Sequence, residues 1–423
     1  MNKPGKTRIV AAIDVGSSKI ATLISQVLFD PVTTETSINV VGASTSKSQG
    51  IKKGQIVNIE EAVEATIASV EAAERMAGYN LDSAFVSLGG AHIHSQNSHG
   101  VVAVSDPDGE INQNDIARAV EAASAISLPT SREAIHVLPR EFIVDGESGV
   151  KDAVGMSGVR LEVDTHIVSA ASAAVKNIKK AIGEVGIQID DLVFSGLASA
   201  ESVLSSTEKE LGCVLVDIGS GTTSITVFIE GALAYSGVIP VGAKNVTNDL
   251  AIGLRVSLET AEKIKIALSD KKVLDKQEGD ELDLNRLGVT EIKKISKKTL
   301  LEGIIRPRLN EIFTMVRLEL EREGLANRVP SGAIITGGGA ETAGVVDSAK
   351  RMLSLPVRTG SPKGVGGLID DIMTPAFATS VGLLIYGAKQ MPSEGLTSFA
   401  KKIKLPSVGI FGKLIDNIKN LLP

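Results

Sequence analysis

A chain of 423 residues is longer than one ordinary hydrophobic core serves and implies two to four domains or subdomains. Hydrophobic residues at 43% and charged residues at 22% describe a globular protein and exclude disorder as the main state. The net charge of -6 argues against a nucleic-acid-binding surface.

The single cysteine, Cys213, cannot form an internal disulfide, which points to a reducing cytoplasm. Met1 to Lys6 is basic and Ile9 to Ile13 apolar, but Asp14 and Lys19 interrupt the run before it reaches the length of a signal-peptide core. No stretch supplies the roughly 18 apolar residues of a spanning helix, so any membrane contact is expected from a surface element.

In chain order, the first feature is an internal echo. Residues 8–25 read RIVAAIDVGSSKIATLIS and residues 211–229 read LGCVLVDIGSGTTSITVFI. Each is an apolar strand ending in Asp, a Gly/Ser/Thr turn and a second β-rich strand, which predicts two hairpins in two related α/β domains. Apolar periodicity predicts helices over Ile59 to Ala77, Ala171 to Val185, Leu197 to Ser206, Leu258 to Leu268 and Lys298 to Glu323.

Residues 82–167 differ, with strands over His92 to Ser98, Ile135 to Val144 and Val159 to Val168 around one helix near Asn114 to Ala125. This block reads as a small α+β insertion in the first domain. Residues 270–296 are charge-dense and read as a solvated excursion. A strand–glycine–helix unit is expected over Ala333 to Leu353. Residues 390–407 read as a flexible linker of Pro, Gly, Ser and Lys.

Three glycine-rich turns carry the chemistry. In Asp14-Val15-Gly16-Ser17-Ser18-Lys19, small residues let backbone N–H groups point at a phosphate. Asp217-Ile218-Gly219-Ser220-Gly221-Thr222-Thr223 repeats that arrangement with hydroxyl donors. Two facing turns would clamp the terminal phosphates of a nucleotide and leave Asp14 and Asp217 beside Mg²⁺, a cation that takes oxygen ligands and keeps several waters.

In Thr336-Gly337-Gly338-Gly339-Ala340 the glycines allow close approach to a nucleotide, and a helix start there favours an anion. Glu262 and Lys265 share a helix face and could reach ribose and adenine edges. Any one such turn is ordinarily only a hairpin, and a lone Glu–Lys pair an exposed ion pair. The joint signal lies in their order along the chain.

The last segment, 408–423, places Ile410, Phe411, Leu414, Ile415, Ile418, Leu421 and Leu422 on one helical stripe. Pattern alone leaves two destinations for it, the protein's own core or a membrane interface. Lys401, Lys402 and Lys404 would add attraction to anionic lipid. His92, His94 and His99 cluster without a neighbouring acid or cysteine in the sequence and read as structural.

The three turns resemble the phosphate-1, phosphate-2 and adenosine motifs of the actin/Hsp70/sugar-kinase superfamily, and ETAEKIKIALS looks like an adenine-contacting helix of Hsp70 proteins. A closer resemblance, to the FtsA family of bacterial cell-division proteins, covers nearly the whole chain. It includes HVLPREFIVDG, DAVGMSGVRLEVDTHIV, FSGLASAESVL, VIPVGAKNVTNDLA, IIRPRLNEI and TPAFATSVGLLIYG.

The resemblance implies an actin-like fold of two RNase-H-like domains with an SHS2-like insertion. The expected partition is 1–81 and 168–208 as subdomain 1A, 82–167 as 1C, 209–243 and 330–389 as 2A, 244–329 as 2B, and 408–423 as a membrane-targeting helix. It also implies ATP and Mg²⁺ as ligands, with Gly242 counted among the nucleotide contacts, and self-assembly into filaments on the inner membrane face at the division site. The expected partners are the FtsZ C-terminal tail on 2B, with Arg308 as candidate contact, and later division proteins on 82–167.

One departure bears on catalysis. Hsp70-like ATPases carry a water-positioning Glu in the segment that here reads Ser195-Gly196-Leu197-Ala198-Ser199-Ala200, so slow turnover is expected. The rival readings are a PilM-like pilus assembly protein, a sugar kinase and a chaperone ATPase; the last would need a β-rich domain after residue 390.

Overall fold

The computed structural model describes residues 7–29, 36–126, 128–270, 279–284, 288, 294–368 and 370–390. The chain starts with β1 (Thr7–Val15), β2 (Lys19–Phe29) and β3 (Thr36–Lys47), then a two-residue hairpin, β4 (Ile51–Lys52) and β5 (Gln55–Ile56). Helix α1 (Ile59–Ala77) follows because Asn58 caps it, accepting from the Glu61 N–H, and Gly78 ends it in the left-handed conformation. Its Ala and Val stripe packs inward, and β6 (Ser83–Leu88) completes this stretch.

The insertion comes next: β7 (His94–Ala103), α2 (Gln113–Ser124), β8 (Arg132–Val144), β9 (Glu147–Val150) and β10 (Arg160–Ala171). The first lobe resumes with α3 (Ser172–Glu184), β11 (Gln188–Phe194), α4 (Ser195–Val203) and α5 (Ser206–Leu211). The helix expected over Leu197 to Ser206 is thus two helices, broken where Ser205 and Glu208 form a capping box that starts a new one.

The second half opens with β12 (Cys213–Ile218), β13 (Thr223–Ile229) and β14 (Ala232–Ile239), then α6 (Ala243–Leu254) and α7 (Leu258–Ser269). A small hairpin, β15 (Glu281–Asp283) with β16 (Lys294–Ser296), leads to α8 (Lys297–Leu300), a π-helical stretch Leu301–Ile305 and α9 (Arg306–Arg322). The widened turn falls just before Pro307, which has no N–H for the helical ladder.

β17 (Ala333–Thr336), a 3-10 turn Gly338–Glu341, α10 (Val345–Leu353), β18 (Val357–Thr359), β19 (Gly366–Gly367) and α11 (Ala378–Gln390) close the described chain. The glycine triplet therefore runs into a 3-10 turn, and the α-helix expected directly after it starts only at Val345.

Two sheets repeat one plan. In the first the order is β11-β6-β1-β2-β3-β19, and in the second β14-β13-β12-β17-β18. In each, a central strand pairs antiparallel with its hairpin partner and parallel with the strand on its other side. β12 and β13 are buried along their whole length, which explains their unbroken apolar and small-residue composition.

One hydrophobic core is built on the first sheet and takes in Cys213, Leu215, Phe228, Leu233 and Ile334 from the second, a second core gathers Val214, Val216, Ile225 and Ile335, and the insertion has a third around Ile111, Phe142 and Leu161. The insertion's four strands, β7-β10-β8-β9, are all antiparallel and covered by α2.

The 270–296 stretch corrects one expectation. Leu282 and Leu284 are fully buried in the second core, so this part is an anchored hairpin and not solely a solvated excursion. Gln390, where the linker was expected to begin, is the last residue of α11, and the rest of the linker and terminal-helix expectations fall on residues outside those described. No helix among the described residues is long and apolar enough to cross a membrane.

Candidate functional site

The two sheets present their echoed hairpins to one cleft of about 780 Å³. The turns are built alike: Gly16 N–H donates to Lys19 O at 3.1 Å, and Gly219 N–H to Thr222 O at 2.9 Å. Each follows an aspartate near the end of its strand, Asp217 buried and Asp14 half-buried.

Asp14 accepts from Ser87 Oγ (2.7 Å) and Ser380 Oγ (3.4 Å); Asp217 accepts from Ser199 Oγ (2.5 Å) and Thr379 Oγ1 (3.3 Å). Burial pushes both carboxyls up, Asp217 to about 6 with the nearby Asp14 adding to the effect. The hydroxyls around each one, and Lys19 beside Asp14, oppose that rise. Two desolvated acids that gain from a cation fit Mg²⁺ held through water.

Lys19 sits 3.1 Å over the Phe377 ring, and burial lowers its pKa to about 8 despite Asp14 and Glu341. Such an ammonium, half-stripped of water and beside the first turn, suits a phosphate.

The second turn is tied to the start of α6, where Ala243 N–H donates to Gly219 O and Lys244 N–H to Ser220 O, both at 2.9 Å. Gly242 sits between them with no room for a side chain, since a methyl there would come within 2.6 Å of both carbonyls. One turn further along α6, Thr247 Oγ1 donates to Glu262 (2.5 Å) and accepts from Lys265 Nζ (2.9 Å), and Lys265 also pairs with Glu262 at 2.8 Å.

The third turn closes the cleft floor. Gly337, with φ +80°, lies against the Asp217 carboxylate so closely that a Cβ would strike it. Only glycine tolerates that backbone, so the turn positions the aspartate as well as approaching a ligand.

Of the residues expected from sequence, Asp14, Gly16 to Lys19, Asp217, Gly219 to Thr222, Glu262, Lys265 and Gly337 to Gly339 all line this cleft. Thr223 does not: it is buried in β13 with its hydroxyl donated to Val241 O at 2.8 Å. Ala340 is buried in the second core, and Gly242 acts from behind through Ala243 and Lys244.

The residues missed are mostly hydroxyls and lysines: Ser87, Ser195, Ser224, Thr247, Thr379, Lys47 and Lys244, with Gly54. Lys244 carried a signal, standing two residues after Gly242 at a helix start. The serines carried none, because only the folded sheets bring them beside the aspartates.

Glu201 faces elsewhere, pairing with Lys209 at 2.9 Å and with Lys389. Ser195, the first residue of the segment Ser195 to Ala200, lines the cleft with its hydroxyl 3.4 Å from Ser224 Oγ.

A family profile described as the SHS2 domain inserted in FtsA matches residues 90–169, and one described as cell division protein FtsA matches 214–382. Cell division protein FtsA of Pseudomonas aeruginosa is 40% identical over 390 residues, 92% of this chain and 91% of that one. The chain belongs to the FtsA family of cell-division proteins.

Other FtsA relatives agree: that of Escherichia coli strain K12 is 32% identical across 99% of both chains, and that of Bacillus subtilis 34% across 92% and 85%. Among solved structures, a chain of a PilM-PilN type IV pilus biogenesis complex aligns with a TM-score of 0.62, covering 90% of this chain and 99% of its own. At 17% identity it shares the fold alone. The ethanolamine utilization protein EutJ from Carboxydothermus hydrogenoformans aligns at 0.50 with 15% identity, over 91% and 92% of the two chains. The fold is therefore the actin-like ATPase fold carrying the FtsA-type insertion, and the protein is an actin-like cell-division protein.

Within this FtsA frame Arg308 lies on α9, already engaged: Nε and Nη2 form a bidentate pair with Asp249 at 2.6 and 3.0 Å, and Nη1 reaches Glu311. His99 is clasped by Glu162 (2.9 Å) and Asp164 (2.8 Å), which raise its pKa. These acids come from β10, whose pairing sets Asp164 opposite His99, so strand register supplies the acidic neighbours missing from the local sequence. His92 is partly buried, and its pKa falls to about 4 through desolvation and the nearby Arg132.

Proposed function

We propose that this FtsA-family chain binds ATP with Mg²⁺ between its lobes, polymerises on the inner membrane face at the division site, and ties FtsZ filaments to that membrane. The observation that carries the nucleotide reading is the pair of matching turns facing one cleft, each following an aspartate whose carboxyl desolvation pushes up. Gly16 and Gly219 close the two turns through their own N–H groups, so the backbone N–H groups of Ser17 and Ser18 and of Ser220 to Thr222 would receive the phosphates, Asp14 and Asp217 would hold Mg²⁺ through water, and Thr247, Glu262 and Lys265 would meet the nucleoside. The bound cation would supply charge neutralisation for the phosphates.

Turnover is expected to be slow, since among the described residues no acid occupies the stretch Ser195 to Ala200 and Glu201 is paired away from the cleft. The FtsZ tail would dock on residues 244–329, near Arg308, and later division proteins on 82–167. Residues 408–423 would lie in the lipid interface by their apolar stripe. One such helix binds reversibly, and a filament arraying many of them binds firmly.

The test is co-sedimentation with anionic vesicles, with and without Mg·ATP, comparing the full chain with one ending at Pro406. Pelleting of the full chain alone, strengthened by ATP, supports the reading. Equal behaviour of the two chains removes the membrane helix from it.

A further inference from the structure

The insertion touches both halves of the nucleotide cleft. Toward the second lobe, Ser95 Oγ at the start of β7 donates to Ser236 O at 2.7 Å and accepts from Ser236 N at 3.1 Å. Asn97 Nδ2 donates to Ala234 O at 3.4 Å, and His166 Nε2 meets Ser236 Oγ at 3.1 Å. Ala234 and Ser236 lie on β14, the edge strand of the second sheet, so insertion side chains occupy backbone positions a further strand would use.

Toward the first lobe, the β4–β5 hairpin is wedged between the phosphate turns and the root of the insertion. Gly54 N–H donates to Ser17 Oγ at 2.9 Å, and a methyl on Gly221 would stand 3.1 Å from both Ser17 Oγ and Lys53 Cα. The hairpin's other side has no slack either: a methyl on Gly54 would come within 2.7 Å of Gly90 N and Cα. Gln55 Nε2 and His92 Nδ1 lie 3.3 Å apart, and Arg132 Nη2 holds the His92 carbonyl at 2.8 Å. The hairpin therefore packs against both phosphate turns on one side and against Gly90 on the other. The approach of the two turns and the contacts on β14 coexist in one conformation.

We propose that the β4–β5 hairpin and the Ser95–Asn97–His166 contacts on β14 form a two-point linkage through which nucleotide in the cleft sets the position of the inserted subdomain. The linkage rests on the nucleotide-binding reading above. It makes the outer surface of residues 90–169 a nucleotide-dependent surface. By reciprocity, loosening the contacts on β14 must weaken nucleotide binding by the same factor that nucleotide tightens them.

Hydrogen–deuterium exchange on the full chain, with and without a Mg²⁺-loaded non-hydrolysable ATP analogue, tests this. The expected result is slowed exchange in residues 14–19 and 217–223, together with 51–56, 89–103 and 232–239. In a Ser95→Ala, Asn97→Ala variant the phosphate turns should still be protected while the response at 94–103 is lost. Affinity for a fluorescent ATP analogue should then fall about fivefold, the low end of ordinary allosteric coupling. Gln55→Ala, at an exposed position, should uncouple 89–93 in the same way from the opposite side.

Protected phosphate turns with unchanged exchange at 89–103 in the unmodified chain would overturn the linkage and leave nucleotide binding standing. So would a double variant with unaltered affinity and response. Absence of protection in the turns themselves would defeat the nucleotide reading and the linkage with it.

Discussion

Gly337 and Gly338 are adjacent, and the structure assigns opposite costs to adding one methyl at each. Gly337 holds φ +80° and ψ 168°, a region open essentially to glycine alone, where another residue costs about 1–3 kcal/mol. Its Cβ would also strike the Asp217 carboxylate and stand 2.6 Å from Ile218 O, so relief requires moving the buried acid. At Gly338 no positive φ is required, and the added methyl would meet only Ala376 Cβ at 3.7 Å, an ordinary contact.

Gly337→Ala should therefore lower the thermal midpoint of the second lobe by roughly 2 to 12 °C, using about 2–4 °C per kcal/mol for a unit of this size. Gly338→Ala should stay within about 2 °C of the parent chain. Circular dichroism melts without nucleotide measure both. Titration with Mg²⁺ and a fluorescent ATP analogue should show weaker binding for Gly337→Ala, because Asp217 is displaced. Equal midpoints for the two variants, or a larger loss at Gly338, would refute the role given to this turn.

Thr247→Val removes the hydroxyl joining Glu262 to Lys265, and nucleotide affinity should fall about fivefold to tenfold by calorimetric titration. His136 Nε2 accepts the Phe194 N–H at 3.0 Å, and burial lowers its pKa to about 4. Because the folded value lies below the unfolded one, this site is stable above about pH 6.5 and loses stability as pH falls toward 4. His136→Gln keeps an acceptor without a titrating ring, and its acid-unfolding curve should flatten across that window. Arg308→Ala should cost under about 1 kcal/mol in stability, as expected for a partly exposed pair, while weakening capture of an FtsZ-tail peptide in a polarisation assay. Leu414→Asp with Ile418→Asp should abolish vesicle pelleting and leave the melt unchanged.

Local chemistry was the legible part. An apolar strand ending in Asp and a Gly/Ser turn can be read because both halves of the motif are contiguous, and the echo at 211–229 doubled the signal. Helix α1 was equally clear, its apolar periodicity over Ile59 to Ala77 giving the bounds that the structure shows. What could not be read depends on distant segments meeting: Ser199 and Thr379 around Asp217, or Gly54 against Ser17. Thr223 was misplaced for a related reason. It continues a run of turn hydroxyls in sequence, yet strand pairing with Ile218 and Ile239 turns it into the sheet. The charges around Leu282 and Leu284 likewise masked two core residues.

The contacts on β14 have a consequence for how copies of this chain can assemble. Sheets tend to grow by adding strands at open edges, and that route leads to unregulated aggregates. Here the Ser236 N–H and C=O are both consumed by one serine hydroxyl, and Ala234 O by Asn97. A neighbouring chain finds no continuous ladder at that border, so β14 is closed to growth of the sheet by a further strand.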